Sequence, residues 1–328
     1  MDRAVQQTDY DAFSCKISAI AKKYLPCQKQ LELREFSDYP ELHMAYAQSL
    51  KNLSRRAYGK VQKAVQSSMP LMNYGTYVRT VAVDIAIEQY INGLPKGSKV
   101  QVLNLGCGSD LRMINFMSRY PQLRWIDLDF RESVHLKAKI LNSDDRFRQR
   151  LGFPAGDLSE EDYVSGRYVL HSCNLNLIED VLEIIQEHTD PDVPTLVLTE
   201  CVLCYMKFKP SQVLIDEVMS LYQTGMWLSY DPIGGETSTD RFGSIMQSNL
   251  RESRQLDLPT LMVFNSATKY AQRFKSNATS TDIRTMWQYY QTETIPQEKQ
   301  RLKSLQFLDE IEELEIILSH YVLLKAFW

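Results

Sequence analysis

The chain has 328 residues, 44% hydrophobic and 24% charged, with a formal net charge of −4. That allows a sizeable core and gives no long-range attraction to nucleic acid or an anionic membrane, leaving only a local basic stretch over Lys51–Lys63. Six scattered cysteines, a polar start at Met1–Gln7 and no apolar run near the roughly 20 residues of a membrane span point to a soluble, cytoplasmic protein, a nuclear pool allowed, with reduced thiols.

Residues 8–95 read as helices. Asp9–Tyr24 is amphipathic, and Pro40–Tyr58 continues in the same style. Tyr77–Ile91 sets Val78, Val81, Val83, Ile85 and Ile87 among polar residues and is expected to pack under a sheet. Arg79 lies on this otherwise apolar helix, so it needs an anionic partner. That partner is either an aspartate of the protein or the carboxylate of a cofactor or substrate. Pro95-Lys96-Gly97-Ser98 is a turn.

From Lys99 onward strand and helix alternate. The strand-like runs are Val100–Leu105, Arg124–Asp129, Arg167–Asn174, Thr195–Glu200 and Met226–Asp231. The helical stretches between them are Leu111–Tyr120, Arg131–Leu141, Leu177–His188 and Ser211–Gln223. This alternation predicts a parallel sheet with helices on both faces. The acidic segment Asp144–Ser165 reads as a surface loop. A mostly helical region follows Asp231, and His320–Trp328 reads as a last strand, antiparallel to the others. The fold class is α/β, with residues 1–328 as one domain: a helical N-terminal extension over 1–95 and a Rossmann-like core with helical insertions over 96–328.

Gly106-Cys107-Gly108 follows the first strand, and Asp127 and Asp129 end the second. A glycine turn paired with such an acid binds the ribose end of a nucleotide-type cofactor. A dinucleotide fingerprint needs a third glycine, and Leu111 stands there instead. A side chain at that place crowds the helix-strand contact beneath a pyrophosphate. S-adenosylmethionine has no phosphates and needs only the open turn, so the broken fingerprint favours a methyl donor over NAD. Asp127 and Asp129 share a strand face. Asp129 is the better ribose ligand, and Asp127 supports the loop. Asn174 suits an amide contact to adenine with Leu175 against the ring, although a turn asparagine is the plain alternative. Glu200 ends the fourth strand, where it either faces the cofactor's amino-acid end or is a surface glutamate.

The remaining signals carry no chemistry. Cys201-Val202-Leu203-Cys204 lacks a second pair, the five histidines have no metal spacing, and no nucleophile elbow is found. No metal is expected.

Several blocks together resemble the leucine carboxyl methyltransferases, and are close to the fungal members. They are Asn73-Tyr74-Gly75-Thr76-Tyr77-Val78-Arg79-Thr80, Asn104-Leu105-Gly106-Cys107-Gly108-Ser109-Asp110, Glu200-Cys201-Val202-Leu203-Cys204-Tyr205-Met206, Asp240-Arg241-Phe242-Gly243 and Phe307-Leu308-Asp309-Glu310. The resemblance runs in order from about residue 50 to the C-terminus. It implies a class I S-adenosylmethionine-dependent methyltransferase fold. It implies as substrate the α-carboxylate of the C-terminal leucine of the type 2A protein phosphatase catalytic subunit, esterified to regulate holoenzyme assembly. By motif position it makes Arg55 and Arg79 the contacts to the cofactor's carboxylate, Gly106 the turn contact, Asp129 the ribose acid and Glu200 the acid after the fourth strand. Asn174-Leu175 falls where many members have Asp-Leu, so the amide contact remains and the charge is lost. Arg79 and Tyr205 are the catalytic candidates that hold the substrate anion, with Tyr230 and Arg241 at the substrate mouth. A related branch that modifies a tRNA base carries a long C-terminal repeat domain, which this sequence is expected to lack. The rival expectations are an NAD-dependent oxidoreductase, and a methyltransferase-like fold that binds or assembles the phosphatase without catalysis.

Overall fold

In the computed structural model, which describes residues 2–27, 38–152, 162–237, 239–309 and 311–328, the strands form one sheet. They are β1 (Val100–Leu105), β2 (Leu123–Asp129), β3 (Asp162–Ser165), β4 (Tyr168–Ser172), β5 (Thr195–Glu200), β6 (Gly225–Pro232), β7 (Ser280–Thr285) and β8 (Tyr321–Phe327). The order is β3-β4-β2-β1-β5-β6-β8-β7. The runs expected to be parallel pair as such: β1 with β2 and β5, β2 with β4, and β5 with β6. The C-terminal strand β8 enters antiparallel beside β6, as its position in the chain suggested.

Helices α1 (Asp2–Ala21), α2 (Tyr39–Leu53), α3 (Arg55–Gln66) and α4 (Pro70–Gly93) precede the sheet. Between strands lie α5 (Arg112–Arg119), α6 (Arg131–Ser143), α7 (Asp145–Leu151), α8 (Ile178–His188) and α9 (Phe208–Ser220). The later helices are α10 (Phe242–Arg254), α11 (Ala267–Ala271), α12 (Met286–Thr292), α13 (Pro296–Leu305) and α14 (Ile311–Ser319). No helix of the described residues is long and apolar enough to cross a membrane.

Strand periodicity divides the core. In β1, Val100 and Val102 pack with α1, α4, α5 and α6, whereas Leu103 and Leu105 pack with α8 and α9. Leu196 and Leu198 of β5 take the first face and Val197 the second. Successive side chains of a strand point to opposite faces, so a doubly covered parallel strand is buried throughout and its polar members, here Gln101 and Asn104, must be hydrogen-bonded. All six residues of β1 are accordingly buried.

Three local expectations need correction. The helix read over Pro40–Tyr58 breaks at Ser54, whose hydroxyl accepts the Ala57 N–H and starts α3. The Asp144–Ser165 stretch is not all loop. Asp144 accepts the Arg146 N–H, Gly152 closes α7 in the left-handed conformation, and Phe147 and Leu151 are buried one helical turn apart. Burying each contributes about 1.5–3 kcal/mol, more than the few tenths that polar helix positions lose. Farther along, β3 forms a hairpin with β4, while residues 153–161 of that stretch lie outside the described residues. The region after Asp231 also contributes the edge strand β7, paired with β8.

Candidate active site

The carboxyl ends of the parallel strands open into a cavity of about 1190 Å³. This is where open α/β sheets bind ligands, beside the strand at which the order reverses. Gly106 follows β1 with φ +72°, and a Cβ there would stand 2.6 Å from Val202 Cγ2. Gly108 has φ +44°, and a Cβ there would meet the Asp9 carboxylate at 2.4 Å. Positive φ therefore favours glycine at both positions, and at Gly106 the Val202 side chain leaves no space for a Cβ either.

Asp129 ends β2 and lines the cavity, accepting the N–H of Gly108 at 2.7 Å and of Phe130 at 2.6 Å. Burial pushes its carboxyl up to about 6, against those two N–H bonds and with the help of nearby Asp9. Asp127 goes to a different use. It is fully buried and accepts from Trp125 Nε1, Lys137 Nζ, Tyr168 OH and Asn104 Nδ2 at 2.7–3.0 Å. It anchors β1, β2, β4 and α6 and does not reach the cavity wall.

Asn174, Leu175 and Glu200 all line the cavity. Asn174 Oδ1 accepts the Asn176 N–H in a turn. Glu200 receives Arg79 Nε on one oxygen and Arg112 Nη1 at 2.6 Å on the other. Burial would raise its carboxyl, but Arg112, Arg79 and Lys16 outweigh that and hold it below the usual carboxylate range. The Arg79 guanidinium lies 5.0 Å from the Tyr230 ring centroid, and Tyr230 stacks on Tyr321. Arg79 thus has both expected kinds of environment: a carboxylate partner within the protein and a place on the cavity wall. Tyr205 also lines the cavity, and burial keeps its phenol protonated well above the usual range.

Two expected residues are not brought in. Arg55 begins α3 on an exposed face, and Arg241 is exposed just before α10; neither lines the cavity. The first helix supplies what sequence reading missed. Asp9 accepts the Ser109 N–H and hydroxyl, each at 2.7 Å, so α1 roofs the glycine turn. Lys16 reaches Asp110 at 3.8 Å. The available signal was a pair of charges on α1 at helical spacing from buried Phe13, Ile17 and Ile20. Arg112 is 3% exposed and joins Asp84, Asp110 and Glu200.

The cavity is therefore lined by a cluster of buried charges and, elsewhere, by the aliphatic side chains of Leu71, Ile245, Met246, Leu250 and Ile317. Such a site can seat a polar, amino-acid-bearing adenosyl group and an apolar chain end together.

The family model for leucine carboxyl methyltransferase matches residues 17–219. Leucine carboxyl methyltransferase 1 of Eremothecium gossypii is 52% identical over 330 residues, covering 100% of each chain. Its counterpart from Kluyveromyces lactis is 49% identical over 335 residues, covering 100% of this chain and 99% of its own. A solved candidate methyltransferase from Thermobifida fusca superposes with a TM-score of 0.53 at 10% identity, covering 85% of this chain and 93% of its own. The fold is that of the class I S-adenosylmethionine-dependent methyltransferases.

Proposed function

The chain belongs to the leucine carboxyl methyltransferase family, whose methyl donor is S-adenosylmethionine, and from that premise we propose that it esterifies the C-terminal leucine of the type 2A protein phosphatase catalytic subunit. The observation that carries this reading is one cavity whose lining joins the paired charges around Arg79 and Glu200, the phenol of Tyr205 and the aliphatic side chains of Leu71, Ile245, Met246, Leu250 and Ile317. A free C-terminal leucine offers the matching pair, one carboxylate and one aliphatic side chain. The ester removes a negative charge from the phosphatase tail, which is the change a regulatory subunit would read.

The residues present fit the donor. Gly106 admits it to the backbone, Asp129 suits the ribose hydroxyls, and Asn174 and Leu175 suit adenine. Arg79 and Glu200 suit the carboxylate and ammonium of its amino-acid end. When bound, S-adenosylmethionine supplies a methyl group activated by a sulfonium, for transfer to the substrate carboxylate. An α-carboxyl group ionises near pH 3.3–3.7, roughly, so it is already an anion at neutral pH and the protein need supply no general base. The cavity walls act by alignment and by excluding water from a weak nucleophile. Tyr205, kept neutral, can donate one hydrogen bond to the anion without the ground-state grip of a second guanidinium.

The decisive experiment supplies labelled S-adenosylmethionine and three substrates: the intact catalytic subunit, one lacking its last leucine, and a tail peptide with an amidated C-terminus. Label should enter the intact subunit alone, as an alkali-labile ester. Label on the amidated peptide would sink the carboxylate chemistry, and donor binding without any transfer would favour the assembly-partner reading.

A pH dependence follows from Asp129. Its folded value of about 6 lies above the ordinary 3.8, so between those values the native state holds a proton that the unfolded state has lost. Native stability from this group therefore falls as pH rises through the window. Ribose hydroxyls donate to the ionised form, so ligand affinity should rise through about pH 6 with release of a proton. Calorimetry of S-adenosylhomocysteine in buffers of different ionisation enthalpy measures that proton. Asp129→Asn should abolish it, and proton release persisting in the variant would assign it to another group.

A further inference from the structure

The charged cluster in the cavity holds Glu200 from both sides. Arg79 Nε donates to one oxygen and Arg112 Nη1 to the other. The two arginines are otherwise unlike. Arg112 also donates to Asp84 and Asp110, and its side chain is 3% exposed, against 25% for Arg79. Both line the cavity, and among the described residues Arg112 Nη2 is buried without a partner. Charge in this cluster is balanced before any ligand arrives: Lys16, Arg79 and Arg112 against Asp84, Asp110 and Glu200.

A ligand ending in an α-amino acid brings one carboxylate and one ammonium. Its carboxylate competes with Glu200 for Arg79. Were Arg79 the sole partner of Glu200, that carboxylate would depend on the incoming ammonium alone for both its cation and its position, and affinity would be lost. Arg112 prevents this, because two further carboxylates fix it in place while it keeps its own bond to Glu200.

We propose that Arg112 is a positioning residue that holds Glu200 while Arg79 exchanges its protein carboxylate for the ligand's, so that the site selects adenosyl ligands bearing an α-amino acid over those lacking one. This rests on the placement of the donor's amino-acid end at Arg79 and Glu200 given above. Neutral adenosyl ligands make no such exchange and should not depend on Arg112.

The test compares calorimetric binding of S-adenosylhomocysteine and 5′-methylthioadenosine, which lacks the amino-acid end. Arg112→Lys keeps a charge but cannot bond Asp84, Asp110 and Glu200 together. It should weaken S-adenosylhomocysteine about 10- to 100-fold and leave methylthioadenosine unchanged. In a Glu200→Gln background the same substitution should have little further effect, because the group it positions is gone. Should Arg112→Lys fail to fold, Asp84→Asn loosens Arg112 without touching Glu200 and should shift the two ligands in the same selective way. Equal weakening of both ligands, or a full Arg112→Lys effect that survives Glu200→Gln, would overturn the inference alone. A wild-type protein that binds the two ligands alike would overturn the underlying placement and this inference with it.

Discussion

Replacing Arg79 with alanine is expected to lower kcat/KM by about two to three orders of magnitude while the protein stays folded. Loss of one partner from a hydrogen-bonded charge pair costs about 2–5 kcal/mol, and 1.4 kcal/mol is about tenfold. Arg79 is asked to do more than a surface arginine: it lies on the cavity wall between the Glu200 carboxylate and the Tyr230 ring. The fold should tolerate the change, because Glu200 keeps Arg112 at 2.6 Å and Tyr230 keeps its stack on Tyr321. Steady-state kinetics at varied donor concentration, with urea unfolding as control, separates these effects. A folded variant with wild-type kinetics and donor affinity would remove Arg79 from the site.

The largest effect on stability should come from Asp127→Asn, at about 3–5 kcal/mol, the usual cost of leaving a buried charge without its partner. Total stabilities run to only about 5–15 kcal/mol, so the urea midpoint should fall steeply. The reason is Lys137, 1% exposed in its side chain, whose ammonium donates to Asp127 at 2.8 Å. Burial would lower the Lys137 pKa, but Asp127 overrides that and holds it above its ordinary value. Three neutral donors converge on the same carboxylate, from Asn104, Trp125 and Tyr168. Adding Lys137→Met should restore part of the loss, since it removes the orphaned charge. An unchanged midpoint in the single variant would mean that water or rearrangement satisfies the lysine.

The two aspartates of β2 show where sequence reading stops. Alternation puts Asp127 and Asp129 on one strand face, and both are acids near a glycine turn. Position at the strand's end already favoured Asp129 for the ribose, and it stands beside the Gly108 N–H; only packing shows that Asp127 does not support the loop, because α6 brings Lys137 over it. Arg55 and Arg241 illustrate the converse, since motif position nominated Arg55 and the expected chemistry put Arg241 at the substrate mouth, yet the fold leaves each exposed and outside the cavity lining.

The sequence by itself determined the parallel strands and their order along the chain, the antiparallel last strand, and the glycine turn with its acid. Those features rest on local rules: apolar periodicity, residues that permit positive φ, and the spacing of neighbouring elements. The tertiary structure alone decided the charged cluster. Lys16, Asp84, Arg112 and Glu200 come from α1, α4, α5 and the end of β5, far apart in the chain. No periodicity pairs such residues, because a buried charge finds its partner through the closing of the core and not through its neighbours in sequence.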